Sequence, residues 1–211
     1  MHALGCAAGT PGDLLITIET TGPGREEKPA AEKKDRLTWP QWRGPTRDAK
    51  CAGAKWPGAV SSKNLKRLWK AKLGPSYSGP IASSDTVYTT ETEGGKYEVV
   101  RAYDRDTGKE LWQAKWPGAM KVPFFARSNG SWIRSTPSLD GDNLYVAGMR
   151  DVLACLDART GKKKWLVDFP KKAGTPVPTF GFVCSPLVTA DALYVQAAGG
   201  FLKLNKETGE I

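Results

Sequence analysis

From residue 68 onward, short runs of hydrophobic, β-branched and aromatic residues are cut at short intervals by polar and glycine-rich steps. The clearest runs are Thr86 to Thr90, Tyr97 to Tyr103, Leu144 to Val146, Val152 to Leu156, Leu193 to Val195 and Phe201 to Leu204. Between them stand turn signals: Ser83-Ser84-Asp85, Gly94-Gly95, Asp140-Gly141-Asp142-Asn143, Ala190-Asp191 and Gly199-Gly200. Runs this short, separated by tight turns, read as strands, so the expected fold class is all-β. With Gly 23 and Pro 15, the chain has few long stretches of helix formers.

The runs are organised by an eleven-residue pattern. Ala102 to Trp112 reads A-Y-D-R-D-T-G-K-E-L-W, and Cys155 to Trp165 reads C-L-D-A-R-T-G-K-K-K-W. A third copy begins at Lys203 as K-L-N-K-E-T-G-E-I and reaches Ile211, so its Trp would fall at position 213. Self-similarity at about fifty residues marks a repeat architecture. In the second copy, Ser135 to Leu139, Leu144 to Ala147, Val152 to Leu156 and Lys164 to Val167 parse as four strands. The last two are joined by a hairpin from Asp157 to Gly161. Asp caps such a turn with its side chain, and Gly supplies the left-handed residue that closes it onto a bulge. Four antiparallel strands per repeat make one blade of a β-propeller.

The pattern A-x-D-x-x-T-G-x-x-x-W resembles the tryptophan-docking motif of quinoprotein-type propellers, the pyrroloquinoline-quinone (PQQ) repeat family. The likeness covers residues 39–211, and the opening Trp39 to Pro45, W-P-Q-W-R-G-P, is similar to the start of PQQ-like propellers of planctomycete type. It implies that Trp112 and Trp165 are wedges between blades, seated by Ala102, Cys155, Gly108 and Gly161. Asp104, Thr107, Asp157, Thr160, Thr208 and Gly209 complete the motif positions. An indole burying ~150–250 Å² at ~25 cal/mol/Å² contributes at most about 4–6 kcal/mol per seam. Departures from the pattern are Cys155 for Ala, and Lys203 and Asn205 in the third copy. The expected architecture is a partial propeller: a lone outer strand at Leu68 to Ala71, two complete blades at about 78–115 and 134–168, and part of another at about 182–205. Propellers close with roughly four to eight blades. The sequence therefore reads as the first part of something larger, with open edges inviting self-association.

Composition narrows the function. The formal charge is +9; residues 1–38 carry a net −1 and the remainder +10. The lysines fall in turns and at strand ends, so they read as solubilising charge and no nucleic-acid partner is expected. The only histidine is His2, which removes Ser-His-Asp and Cys-His catalysis and His-ligated metal from the repeats. Cys6, Cys51, Cys155 and Cys184 show no C-x-x-C spacing; Cys155 reads as a small buried hydrophobe, and a bridge to Cys184 has no support. Residues 1–37 are poor in core-forming clusters and read as disordered, with 38–67 a Trp/Pro-rich lead-in and 68–211 the repeats. Ala3-Leu4-Gly5-Cys6 resembles a lipoprotein cleavage box but has no export signal before it, and reads as chance. Family resemblance implies a periplasmic or extracellular location.

Candidate chemistry is sparse. PQQ with Ca²⁺ is what the resemblance offers as an alternative to a cofactor-free scaffold, but no adjacent cysteines and no family ligand motif are present. Asp104 opens a D-x-D run, yet the twelfth position is Lys115 where a calcium loop needs Glu. The better candidate is the long link from Trp116 to Arg134, with Phe124, Phe125, Arg127, Trp132 and Arg134, and a second link from Gly174 with Phe180 and Phe182. Loops between blades bind partners, so a protein or small ligand is expected there. The expectation is a non-catalytic binding or scaffold module. A PQQ-dependent dehydrogenase fragment and a sensor propeller of a larger protein are the alternatives.

Overall fold

In a computed structural model, residues 16–26, 36–51, 58–59, 61–63 and 65–211 are described. Three antiparallel sheets follow one another along the chain. The first contains β1 (Glu19–Thr21), β2 (Ile81–Ala82), β3 (Thr86–Glu93), β4 (Tyr97–Asp104) and β5 (Glu110–Pro117), in the order β1-β5-β4-β3-β2. The second is β6 (Ser138–Asp140), β7 (Asn143–Gly148), β8 (Val152–Asp157) and β9 (Lys163–Asp168), in sequence order, followed by the short helix α1 (Phe169–Ala173). The third contains β10 (Leu187–Val188), β11 (Leu193–Ala197) and β12 (Gly200–Leu204). Two four-stranded meanders and a three-stranded one are successive sectors of a propeller.

The sheets face one another, and this explains the weak alternation in the sequence. All six residues of β7 and five of six in β8 are buried, because both faces of the second sheet are covered by neighbours. A strand buried on both faces reads as an apolar run. Tyr88, Ala102, Trp112, Ala114, Leu144, Val146, Ala154 and Leu156 fill the first seam. Tyr145, Leu153, Cys155, Phe169, Phe182, Leu193 and Val195 fill the second.

The third and fourth strands of each full sheet are joined by the hairpin that the motif encodes. Asp104 Oδ1 accepts from Thr107 N at 2.9 Å and Thr107 Oγ1 at 2.8 Å; Asp157 Oδ1 accepts from Thr160 N and Oγ1, both at 2.8 Å. Asn205 keeps the amide part of this cap, accepting from Thr208 N at 3.1 Å. The register shifts between Ala102 and Tyr103 and between Cys155 and Leu156 are the bulges onto which these loops close.

Three expectations change. Composition reads residues 1–37 as disordered, yet Glu19, Thr20 and Thr21 pair with Lys115, Ala114 and Gln113 as a fifth strand on the first sheet. Ile16 and Ile18 pack against the first core, which supplies the burial that composition alone did not reveal. Residues 1–15 and 27–35, including Cys6 and its lipoprotein-like box, lie outside the described residues. Leu68 to Ala71 is not a strand: the segment has no ladder partner among the described residues, and it is held by its Trp69. The first strand of the second sheet is shorter than expected, starting at Ser138, because Ser135-Thr136-Pro137 serves another purpose.

That purpose is visible at the inner strands. Ser78-Gly79-Pro80, Ser135-Thr136-Pro137 and Cys184-Ser185-Pro186 occupy matching places before β2, β6 and β10. Gly79 N donates to Thr136 Oγ1 at 3.1 Å, and Thr136 N donates to Ser185 Oγ at 3.1 Å, linking the three sheets in series. The lead-in runs across the same inner strands. Trp39 bridges to Ala82, Leu139 N donates to Pro40 O at 2.8 Å, and Arg47 reaches Pro186 O at 3.3 Å.

Candidate functional site

The docking positions come first, because they fix everything else. Three indoles repeat one geometry. Trp69 Nε1 donates to Arg105 O at 2.9 Å, Trp112 Nε1 to Ala158 O at 3.1 Å, and Trp165 Nε1 to Lys206 O at 3.2 Å. Each ring also lies flat over the glycine of the next hairpin. Trp69 sits on Gly108, Trp112 on Gly161 and Trp165 on Gly209. At Gly161 φ is +74°, and an added Cβ would run into the Trp112 ring, so the position excludes other residues on both counts. Ala102 and Cys155 lie opposite Trp112 and Trp165 within their own sheets. Trp112 is fully buried and Trp165 half-buried.

A second repeated tie was missed in the sequence. Glu98 is fully buried in β4, and its Oε1 accepts from Met149 N of the second sheet at 2.6 Å. Asp151 stands at the matching place, four residues before Cys155 as Glu98 is four before Ala102. Its Oδ2 accepts from Ala198 N of the third sheet at 2.8 Å. An acid four residues ahead of each complete motif was the available signal. Gly118 and Gly148 crowd around Glu98 Oε2, and neither that oxygen nor the neighbouring Trp116 Nε1 has a hydrogen-bond partner of standard geometry. Burial pushes the Glu98 carboxyl up to about 8 and also raises Asp151. The Glu98 carboxyl is therefore largely protonated at neutral pH.

Of the loop residues, Phe124 and Phe125 lie in a 3-10 helix spanning Phe124–Asn129 and are 80% and 67% exposed; Phe180 is 46% exposed. The two links meet there. Phe125 contacts Phe124 and Phe180 edge-on, with centroids 5.6 and 6.2 Å apart. Arg127 is exposed beside them. Trp132 and Arg134 are partly buried and pack on Tyr77, the Trp132 ring tilted against it at 5.2 Å and the Arg134 guanidinium over it at 5.0 Å, and so brace the first link. Phe182 is not available to a partner: it is 2% exposed in the second core, and its N donates to Met149 O at 3.3 Å. Three neighbouring exposed phenylalanines, two on the braced link and one on the second, form a surface suited to apolar contact.

Other chemistry is thin among the described residues. Cys155 and Cys184 form no disulfide among the described residues; Cys155 is buried, with its thiol pushed up to about 12 by that burial, and Cys184 Sγ accepts from Gln196 N at 3.2 Å. Among the described residues no three His, Cys, Asp or Glu side chains converge to hold a metal ion. No described helix is long and apolar enough to cross a membrane.

Successive four-stranded sheets, locked by an indole on the next hairpin's glycine, define a tryptophan-docked β-propeller of the PQQ-repeat type. The chain belongs to the family described as outer membrane protein assembly factor BamB, whose model matches residues 96–211, just over half of its length. It is 22% identical over 152 residues to the outer membrane protein assembly factor BamB of Yersinia pestis, covering 69% of this chain and 35% of that protein. The BamB of Moranella endobia (strain PCIT) is also 22% identical, over 151 residues, with 69% and 36% covered. The chain thus spans about a third of the length of the curated relatives it matches. Among solved structures, quinohemoprotein alcohol dehydrogenase from Comamonas testosteroni aligns with a TM-score of 0.57 at 20% identity, over 85% of this chain and 27% of that one. BamB from Moraxella catarrhalis aligns with a TM-score of 0.45 at 21% identity, over 68% and 40%.

Proposed function

We propose that this chain is a non-catalytic propeller module that binds another protein in the cell envelope. In this role it acts as a scaffold, on the periplasmic side of the outer membrane. The observation that carries the reading is the patch of Phe124, Phe125 and Phe180, exposed and in mutual contact at the meeting of two inter-blade links. Aromatic side chains offer large contact area at low entropic cost, and their clustering on a rigid support favours a binding hot spot. The relatives' name, outer membrane protein assembly factor, supports a partner of the envelope rather than a small-molecule substrate. The likeness to an alcohol dehydrogenase supports the fold alone.

Photo-crosslinking tests the reading. With a photoreactive phenylalanine at position 124 or 125, envelope fractions should yield a discrete protein adduct. Phe124→Ala with Phe125→Ala should weaken binding of that partner by at least about tenfold, as loss of a hot spot costs ~1.4 kcal/mol or more. Their exposure predicts a stability change within about 0.5 kcal/mol. If adducts form at control surface positions but never at 124 or 125, the patch is not the binding surface.

A further inference from the structure

The two links that carry the phenylalanine patch hold charge of one sign. Residues 118–134 contain Lys121, Arg127 and Arg134 and no acid, and residues 174–186 contain no charge at all. Lys121 and Arg127 are exposed and flank Phe124 and Phe125 in the chain. Arg134 is drawn toward the same helix, its guanidinium donating to Gly130 O at 3.3 Å. α1, which leads into the second link, adds Lys171 and Lys172, both exposed.

The turn between β7 and β8 lies between the links. Met149 N donates to Glu98 Oε1 at 2.6 Å, and Gly118, at the start of the first link, packs on Glu98. On the other side Met149 O accepts from Phe182 N at 3.3 Å, and Gly181, next to Phe180, packs on Met149. Arg150 follows in this turn and is exposed. The acids at this end of the sheets do not balance these cations. Glu98 and Asp151 are buried and accept from the backbone. Asp168 is half-buried and caps α1, accepting from Lys171 N at 3.1 Å. Glu19 faces Lys115 at 3.8 Å, and exposed Glu93 shares its turn with exposed Lys96.

We propose that the phenylalanine patch takes an acidic segment of its partner protein. Apolar side chains of that segment lie on Phe124, Phe125 and Phe180, and its carboxylates face Lys121, Arg127 and Arg150. The proposal rests on the reading of the patch as a protein-binding surface and adds the chemistry it selects. The rings contact one another edge-on, so they offer one shallow apolar surface rather than separate projecting anchors. Apolar contact at the centre supplies affinity, while a rim of one charge decides which segments approach. A basic segment would meet like charge on both links and be rejected. The first link holds its cations in place, because Val122 N donates to Ser131 Oγ at 3.1 Å and closes the loop at its base.

The probe is a fluorescein-labelled peptide of Glu-Leu-Glu-Phe repeats, followed by anisotropy on the full chain. Binding should be saturable, weaken at least about tenfold when Gln replaces every Glu, and vanish when Lys replaces them. Lys121→Glu with Arg127→Glu, both at exposed positions, should weaken the glutamate peptide similarly and admit the lysine peptide. That gain of binding cannot come from misfolding. The proposal is overturned if the glutamine peptide binds as well as the glutamate one, or if the charge reversal changes neither peptide. It is equally overturned if the chain binds phosphatidylglycerol vesicles and no peptide. Envelope adducts at 124 or 125 that persist undiminished after the charge reversal sink the acidic segment and leave the protein-binding reading standing. Absence of those adducts removes that reading itself, so the two fail separately.

Discussion

Replacing Glu98 with glutamine should alter how stability depends on pH. In the folded chain burial lifts the Glu98 carboxyl to about 8, whereas an unfolded glutamate titrates near ~4.3. Between those values the folded state keeps a proton that the unfolded state has released. Raising the pH through this window therefore favours unfolding. Below about pH 4 the carboxyl costs nothing; above about pH 8 the full penalty is present. At 1.36 kcal/mol per pH unit the ceiling is on the order of 5 kcal/mol, with about 2–3 kcal/mol accruing between pH 5 and 7. The carboxamide of the Glu98→Gln variant keeps an oxygen for Met149 N and cannot ionise. Its own cost, a second donor facing Trp116 Nε1, therefore does not change with pH. Urea unfolding followed by tryptophan fluorescence at pH 5, 6, 7 and 8 measures the difference between the two proteins. The variant should gain on the parent by a few kcal/mol across that range. A difference constant to within about 0.5 kcal/mol would refute the buried-acid assignment, since that is the scatter of inert substitutions.

Two further outcomes are expected. Trp112→Ala should cost about 3–5 kcal/mol and Trp112→Phe about 1 kcal/mol more than its packing change, through loss of the bond to Ala158 O; a chemical denaturation loss below about 1 kcal/mol for the Ala variant would dissociate the indole from the seam. Reconstitution with PQQ and Ca²⁺ should give no dye reduction with alcohols or sugars, and turnover dependent on both additions would replace the scaffold reading with a dehydrogenase.

The motif by itself determined the fold class. Its Asp, Thr and Gly build a hairpin from contacts within five residues, and its Trp recurs at the spacing of a blade, so local chemistry and periodicity carried the information. The solvent-facing links were legible for the same reason: Phe124 and Phe125 sit in an insertion that no strand pattern claims. Only the tertiary structure decided what lies across a seam. Ile16 to Arg25 looks like a tail until β5 and the next hairpin supply partners for its backbone, some ninety residues away in sequence at Gln113 to Lys115. Phe182 resembles Phe180 in the chain, yet one is core and the other surface, because a single turn at Gly181 over Met149 directs them apart. Glu98 and Asp151 read as ordinary charges at strand starts. Their burial exists only because a neighbouring sheet closes over them, and desolvation by non-local packing leaves no mark on local sequence.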